Sequence, residues 1–516
     1  MLLPSLGACI FIDDAEHAAF VGTLGGDADA DTDADSDTDT DPDSGDTGSD
    51  SGDSGDSGDT GDVQSPCPPA SPCHVASTGT GYWSGTWEGA FGSMVAAVDV
   101  DGDGRAELFT SAASPGVELY AVTVTAGGVG GYRRLGDIDY ARLDASGGYG
   151  LATLAVTATG PALDPLVLVG DAFSAGSGVA AGGAWLFDDF DAGANLDAGF
   201  VAGEAVGDLA GTVLASATVG SAEVVALGAP GFDGACGSAY VGSWGLTEGA
   251  PGAVVGDLGT LWSSGGWHKL VSDCVSGDAD ARLGSALAVG DFDGNGVADL
   301  ATSAPYREVS GQSRAGYVYI LPDFAYTDSV PYIDTMVSSG TAVGLPGAIA
   351  NDYFGVSLVA LDTDNNGDTD LAVGASGVDD LGSNVGMVYL FMDLANPDEY
   401  RAANDANSKF TGANDEDGLG ERMAAAGDSN TPGLAVSDVS GVWFLPGGEG
   451  LQSSPVDEVA GAQRFLLGEL GSLVALAGGD FDGDGVIDVT LGTPYDLGPD
   501  GDATGAGSAW VILLGQ

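Results

Sequence analysis

Four nine-residue segments carry the pattern Asp-x-Asp-x-Asp/Asn-Gly-x-x-Asp/Glu. They read DVDGDGRAE from Asp99 to Glu107, DFDGNGVAD from Asp291 to Asp299, DTDNNGDTD from Asp362 to Asp370, and DFDGDGVID from Asp480 to Asp488. Alternating carboxylates around a glycine are the oxygen-rich, tightly turned donor set that a hard cation needs. Side-chain oxygens come from positions 1, 3, 5 and 9 of each nonamer and a backbone carbonyl from position 7. The candidate ligands of the first loop are therefore Asp99, Asp101, Asp103, the Arg105 carbonyl and Glu107. In the second they are Asp291, Asp293, Asn295, the Val297 carbonyl and Asp299. The third offers Asp362, Asp364, Asn366, the Asp368 carbonyl and Asp370, and the fourth Asp480, Asp482, Asp484, the Val486 carbonyl and Asp488. About four Ca2+ sites are expected, one per loop.

An EF-hand opens the same way, but it needs a bidentate Glu at position 12 and helical flanks. Position 12 here is Thr110, Thr302, Val373 or Leu491, and the last acid arrives at position 9. The residues that follow each loop are short, partly β-branched runs ending in small residues, Gly or Pro, which predicts a strand entering a turn. The elements that position these carboxylates are thus β-hairpins.

The loops belong to a longer period. An apolar-Gly pair precedes each one: Phe91-Gly92, Leu283-Gly284, Phe354-Gly355 and Leu470-Gly471. A small-residue turn follows, and then a further strand opened by Gly116, Gly316, Gly386 or Gly507. Copies without the acidic loop fill the gaps, at Tyr149-Gly150, Ala210-Gly211 and Leu419-Gly420. The seven pair glycines are spaced 51 to 73 residues apart. Each unit supplies about four short strands and cannot bury its own faces, whereas radial stacking of such units can. The 88 Gly and the lack of any long amphipathic helical pattern agree with an all-β chain. Parallel β-helices also bind calcium through Gly/Asp repeats, but their period is far shorter. The expected fold is a seven-bladed β-propeller over residues 91–516.

In these motifs the chain resembles the FG-GAP repeat of integrin alpha-subunit N-terminal propellers and their bacterial relatives. Phe91-Gly92 and Phe354-Gly355 match "FG", Gly228-Ala229-Pro230 matches "GAP", and the four nonamers match the family's calcium loop. The resemblance implies metal loops on one face of the propeller and ligand recognition on the other. Glu107 departs from the ninth-position Asp, and two extra residues separate Gly471 from Asp480. No inserted adhesion domain is evident, so integrin-type ligand binding does not follow directly.

The last repeat reaches only its third strand before Gln516. Residues 75–88, with Tyr82, Trp83 and Trp87, are the expected donor of a fourth strand, pairing with the 507–514 strand to close the ring. This segment lies in a Cys/Pro-rich lead-in, residues 67–90. Residues 27–66 form an acidic linker whose run from Asp27 to Asp62 holds 15 Asp and no aromatic residue. Such a run self-repels and has nothing to bury, so a disordered spacer is expected.

Residues 1–26 are read as the remnant of a signal region. Leu6-Gly7-Ala8-Cys9 resembles a bacterial lipobox, although the apolar stretch before it is short and lacks a basic start. That suggests a true start upstream of Met1 and a lipid on Cys9. Cys67 with Cys73 and Cys236 with Cys274 are the expected disulfide pairs, which suits an exported chain, and no CxxC zinc spacing occurs.

The charge balance is 77 acids against 12 bases, formally −65, and removing the 15 Asp of the spacer still leaves −50. Nucleic acid is excluded as a partner because no basic face exists to displace phosphate counterions. Only three His occur, at 17, 74 and 268, and no nucleophile elbow, Walker loop or HExxH motif is present. An enzyme is therefore not expected; the competing reading is an extracellular hydrolase or lyase acting on polysaccharide. The preferred reading is an exported, monomeric calcium-binding propeller at the extracellular or outer-membrane surface of a bacterium. It would touch the membrane only through a Cys9 lipid and bind an unknown protein or glycan, with Tyr306, Tyr332 and Tyr495 as candidate contacts.

Overall fold

In the computed structural model the chain is all-β and arranged as a β-propeller. It describes the strands at 73–77 and 80–84 and short segments of 95–202. Beyond these it covers most of 203–243, 254–272, 280–324, 332–394, 403–448 and 475–493, together with 451, 457–458, 463–466 and 508–514. In repeats two to six the strands follow one another from the innermost outward, paired antiparallel. Repeat four shows the plan, with Leu287–Gly290, Asp299–Ala304, Tyr317–Leu321 and Val343–Pro346 in order. Repeat three uses Val213–Val219, Ala222–Ala229, Ser238–Ser243 and Trp267–Val271. Repeat five uses Leu358–Leu361, Asp370–Ala375, Met387–Phe391 and Ser408–Thr411.

The second strands of repeats four and five are buried along their whole length. Each lies mid-sheet with a neighbouring sheet against both faces, so it reads DLATSA or DLAVGA instead of alternating with polar residues. Six apolar clusters each span two consecutive repeats, from two-three round to seven-one. Among the described residues, the core therefore lies between the sheets.

Among the described residues, hydrogen bonding divides the strands into five sheets of four or more strands and two two-stranded ladders, against the seven separate blades expected. Repeats six and seven are fused into one nine-stranded sheet through Gly427↔Ile487 and Asp428↔Val486. The pairing joins the end of the innermost strand of repeat six, Met423–Asp428, to the second strand of repeat seven, Val486–Thr493, which begins two residues before its ninth-position acid where the counterparts Asp299–Ala304 and Asp370–Ala375 begin at that acid. Repeat one supplies the two separate ladders, Val95–Val98 with Glu107–Thr110 and Val117–Thr125 with Gly128–Ile138. The seven innermost strands nevertheless neighbour one another in a closed circuit, Ala475–Gly479 of repeat seven lying against Val95–Val98 of repeat one.

Ring closure uses the aromatic lead-in. Thr80–Ser84 pairs antiparallel with Ser508–Ile512, Tyr82 opposite Trp510, and Cys73–Ser77 adds outside it. The apolar-Gly pairs form the seams between repeats. Gly316, which opens the third strand of repeat four, makes a parallel bridge to Phe354 of repeat five. Gly316 has φ +86°, and a Cβ there would collide with the Phe354 backbone. Phe354 itself is fully buried, edge-on to Tyr389 and Phe391 at centroid distances of 5.3 and 6.2 Å. The same bridge recurs at Gly182↔Ala210, Gly237↔Leu283 and Gly386↔Leu419. The pairs at 91–92, 149–150 and 470–471 lie outside the described residues.

Outer edges are covered by the following repeat. Val254–Asp257 pairs parallel with the outer strand Asp197–Ala202 of repeat two, and Asp457–Glu458 with Ser408–Thr411 of repeat five. Capping of this kind removes the unpaired strand edges that otherwise invite aggregation.

Candidate metal centres

The acidic nonamers connect the first and second strands of their repeats, so they emerge at one end of the propeller. Their local fold is written in backbone-to-carboxylate hydrogen bonds. The first Asp accepts from the amide of the sixth-position Gly in all four loops. Gly104 N reaches Asp99 Oδ2 at 3.0 Å, Gly296 N reaches Asp291 Oδ2 at 2.7 Å, Gly367 N reaches Asp362 Oδ2 at 3.0 Å and Gly485 N reaches Asp480 Oδ2 at 2.9 Å. At position 5, Asn295, Asn366 and Asp484 each accept through Oδ1 from the amide two residues on, at 2.7, 2.7 and 2.8 Å.

The ninth-position acid is the buried end of each loop. Asp299 Oδ2 accepts from Phe292 N at 2.8 Å and Asp488 Oδ2 from Phe481 N at 3.0 Å, while Asp370 Oδ2 accepts from Thr363 N at 2.9 Å and from the Thr363 hydroxyl. The side chains at position 2, Phe292, Thr363 and Phe481, are themselves buried and pin the loop to the core.

Among the described residues three triads result: Asp291, Asp293 and Asp299; Asp362, Asp364 and Asp370; Asp480, Asp482 and Asp488. Within each, one oxygen per residue lies within 4.8 Å of the others. Oxygens sharing one Ca2+ at about 2.3–2.6 Å are separated by no more than about 5 Å, so the spacing fits that ion. Burial holds the ninth-position carboxyls well above the ordinary carboxylate range: Asp299 at about 7, Asp370 at about 6 and Asp488 at about 8. Neighbouring acids add to the rise, Asp293 for Asp299 and Asp482 with Asp484 for Asp488. Asp293 and Asp484 are raised as well, by burial first and then by nearby carboxylates.

Asp370 Oδ1 is buried with no hydrogen-bond donor, in a residue only 1% exposed. A buried, unmatched carboxylate oxygen beside two further carboxylates is a donor set completed by a cation. The residues present therefore fit calcium. Of the first loop, Asp99, Arg105 and buried Glu107 are described, whereas Asp101 and Asp103 lie outside the described residues.

Sequence spacing did not reveal Asp323. Its amide donates to Asp299 Oδ1 at 2.8 Å, and its carboxylate accepts from Asn295 Nδ2 at 2.8 Å. Asp323 follows the third strand of the repeat, and Leu514 N fills the equivalent place by donating to Asp488 Oδ1 at 2.7 Å. The usable signal was an acidic residue just beyond YVYIL, visible only once the third strand is known to return beside the loop.

Among the other candidates, Tyr306 packs edge-on to Tyr353 at 5.5 Å with the Arg282 guanidinium 4.4 Å from its ring centroid. Tyr332 is 44% exposed at the start of the short helix Ile333–Ser339, and Tyr495 lies outside the described residues. His268 lies on the outer strand of repeat three, 6.3 Å from the Phe324 ring, with its pKa lowered by burial. Cys236 is disulfide-bonded, while its expected partner Cys274 is not among the described residues. Residues 1–72, with Cys9 and the acidic linker, are likewise outside them.

Fold and site together define an all-β propeller whose innermost hairpins carry acidic loops shaped for a divalent cation. A model of the FG-GAP repeat family matches residues 283–321, the segment holding the 291–299 loop and its three flanking strands. Integrin alpha-V of Gallus gallus is 40% identical over 101 residues, covering 19% of this chain and 9% of that protein. The chain is thus similar to a small part of that relative's length.

Proposed function

We propose that this chain is an exported calcium-binding propeller acting as a recognition or adhesion module at a cell surface. Calcium holds the acidic hairpins, and the opposite end of the ring meets the ligand. The observation that carries this reading is the recurrence of one triad geometry at the same hairpin of three repeats. Repetition in matched positions suits a scaffold ion, since a catalytic metal needs one site with an open position. The 101-residue similarity to an integrin alpha chain supports the same assignment.

The end opposite the acidic loops carries the turns between second and third strands and the connections from one repeat to the next. There Val206, Ile349 and Val439 stand 67, 58 and 64% exposed, apolar contacts of the kind a protein or glycan partner would cover. Under this proposal the chain sits outside a bacterial cell, with the Asp-rich run as a tether and Cys9 as a lipid anchor. No helix among the described residues is long and apolar enough to cross a membrane.

The test is retention of the full chain on protein and glycan arrays, in calcium and in EDTA, with the glycans analysed for cleavage. Calcium-dependent retention of an intact ligand is expected. Released sugar products, or no retention in calcium, would contradict the assignment.

A further inference from the structure

The acidic loops touch one another across repeat boundaries, twice and in the same way. The backbone carbonyl of Asp291, position 1 of its loop, accepts from Thr369 N at 2.7 Å, and Asp291 N donates to the Thr369 hydroxyl at 3.0 Å. Thr369 is position 8 of the loop in the next repeat. At ring closure, Asp480 O accepts from Ala106 N at 2.6 Å, again position 1 from position 8 of the following loop.

The side chains repeat the pattern. A Cβ on Gly294, position 4, would collide with the Asp368 carboxylate, position 7 of the following loop. A Cβ on Gly483, also position 4, would lie 3.0 Å from Arg105 Nε, also position 7. Phe292 and Phe481 reinforce each contact by burying into the cluster shared with the following repeat.

We propose that the seventh residue of the following loop tunes cation affinity in the preceding one, Asp368 acting on the 291–299 loop and Arg105 on the 480–488 loop. The proposal rests on the calcium reading above and adds a means of regulating it. Asp368 brings a carboxylate to the edge of the 291–299 loop and strengthens its hold on a cation. Arg105 brings a guanidinium to the edge of the 480–488 loop and weakens it. A unit charge one side chain away from a divalent ion changes affinity by about three-fold at moderate salt. Because position 7 contributes a carbonyl, changing its side chain leaves the ligand set of its own loop in place.

The test is hydrogen exchange of the full chain titrated with calcium chloride, read at residues 288–300 and 476–490. In Arg105→Gln the calcium midpoint for protection at 480–488 falls about three-fold, while that at 291–299 stays unchanged. In Asp368→Asn the midpoint at 291–299 rises about three-fold and that at 480–488 stays unchanged. Arg105→Lys keeps the charge and the wild-type midpoint, which separates tuning from a folding defect. Neighbour midpoints unmoved by Arg105→Gln and Asp368→Asn, with both loops still protected by calcium, overturn the tuning and leave the calcium reading standing. No calcium protection at either loop of the wild type overturns both.

Discussion

Repeats three and four share a seam, a strand order and a common core cluster, yet close their innermost hairpins by different means. In repeat three the ladder runs unbroken to Val219↔Ala222, so backbone hydrogen bonds finish the turn. In repeat four it stops at Gly290↔Asp299, and residues 291–298 fold back around three carboxylates. The first closure is self-sufficient. The second gathers like charges in a partly buried place, which is unfavourable until a cation neutralises them. One propeller frame thus carries two kinds of hairpin, and only one of them should respond to calcium and pH.

The largest effect should come from what the repeats share. Phe354→Ala empties a fully buried seam position and should cost about 3–5 kcal/mol by denaturant unfolding, equally in calcium and EDTA. A cost that changed with calcium would break the separation between seam and hairpin. Next is Asp299→Ala, which removes the most deeply buried carboxylate of its loop. It should abolish that site's share of calcium stabilisation, about 2–3 kcal/mol at calcium a hundredfold above Kd, and leave exchange at residues 213–229 unchanged.

Acidity should separate the two hairpins as well. Asp488 and Asp299, at about 8 and about 7, hold protons in the calcium-free fold that the unfolded chain releases near its ordinary 3.8. Their ionised forms are penalised by the fold, so calcium-free stability falls as pH rises from about 4 to about 8. General repulsion at −65 acts in the same direction. The increment in melting temperature from calcium should therefore be larger at pH 8 than at pH 5, and a reversed order would contradict the burial of these carboxyls. The smallest effect is Gly220→Ala in the repeat-three turn, at φ +61°. It should cost about 1 kcal/mol whether or not calcium is present, measured by urea unfolding in both buffers.

Much of this was readable from residue order. The nonamers, the apolar-Gly pairs and the aromatic lead-in are local patterns, and a local pattern specifies hairpins, seams and the strand opposite Trp510. Contacts across repeats were not readable. Asp291 meets Thr369 78 positions later, and Asp323 reaches its loop only because the third strand returns beside it. Nor does spacing show that Met423–Asp428 pairs with Val486–Thr493 and joins repeats six and seven in one sheet. Those features depend on how neighbouring repeats are rotated against each other, which no single repeat encodes.

The most direct measurement is calorimetric unfolding of the wild-type chain at pH 7.5, with millimolar calcium chloride and with EDTA. Cation-clipped hairpins predict a melting temperature several degrees higher in calcium. Equal melting temperatures would contradict calcium binding at these loops.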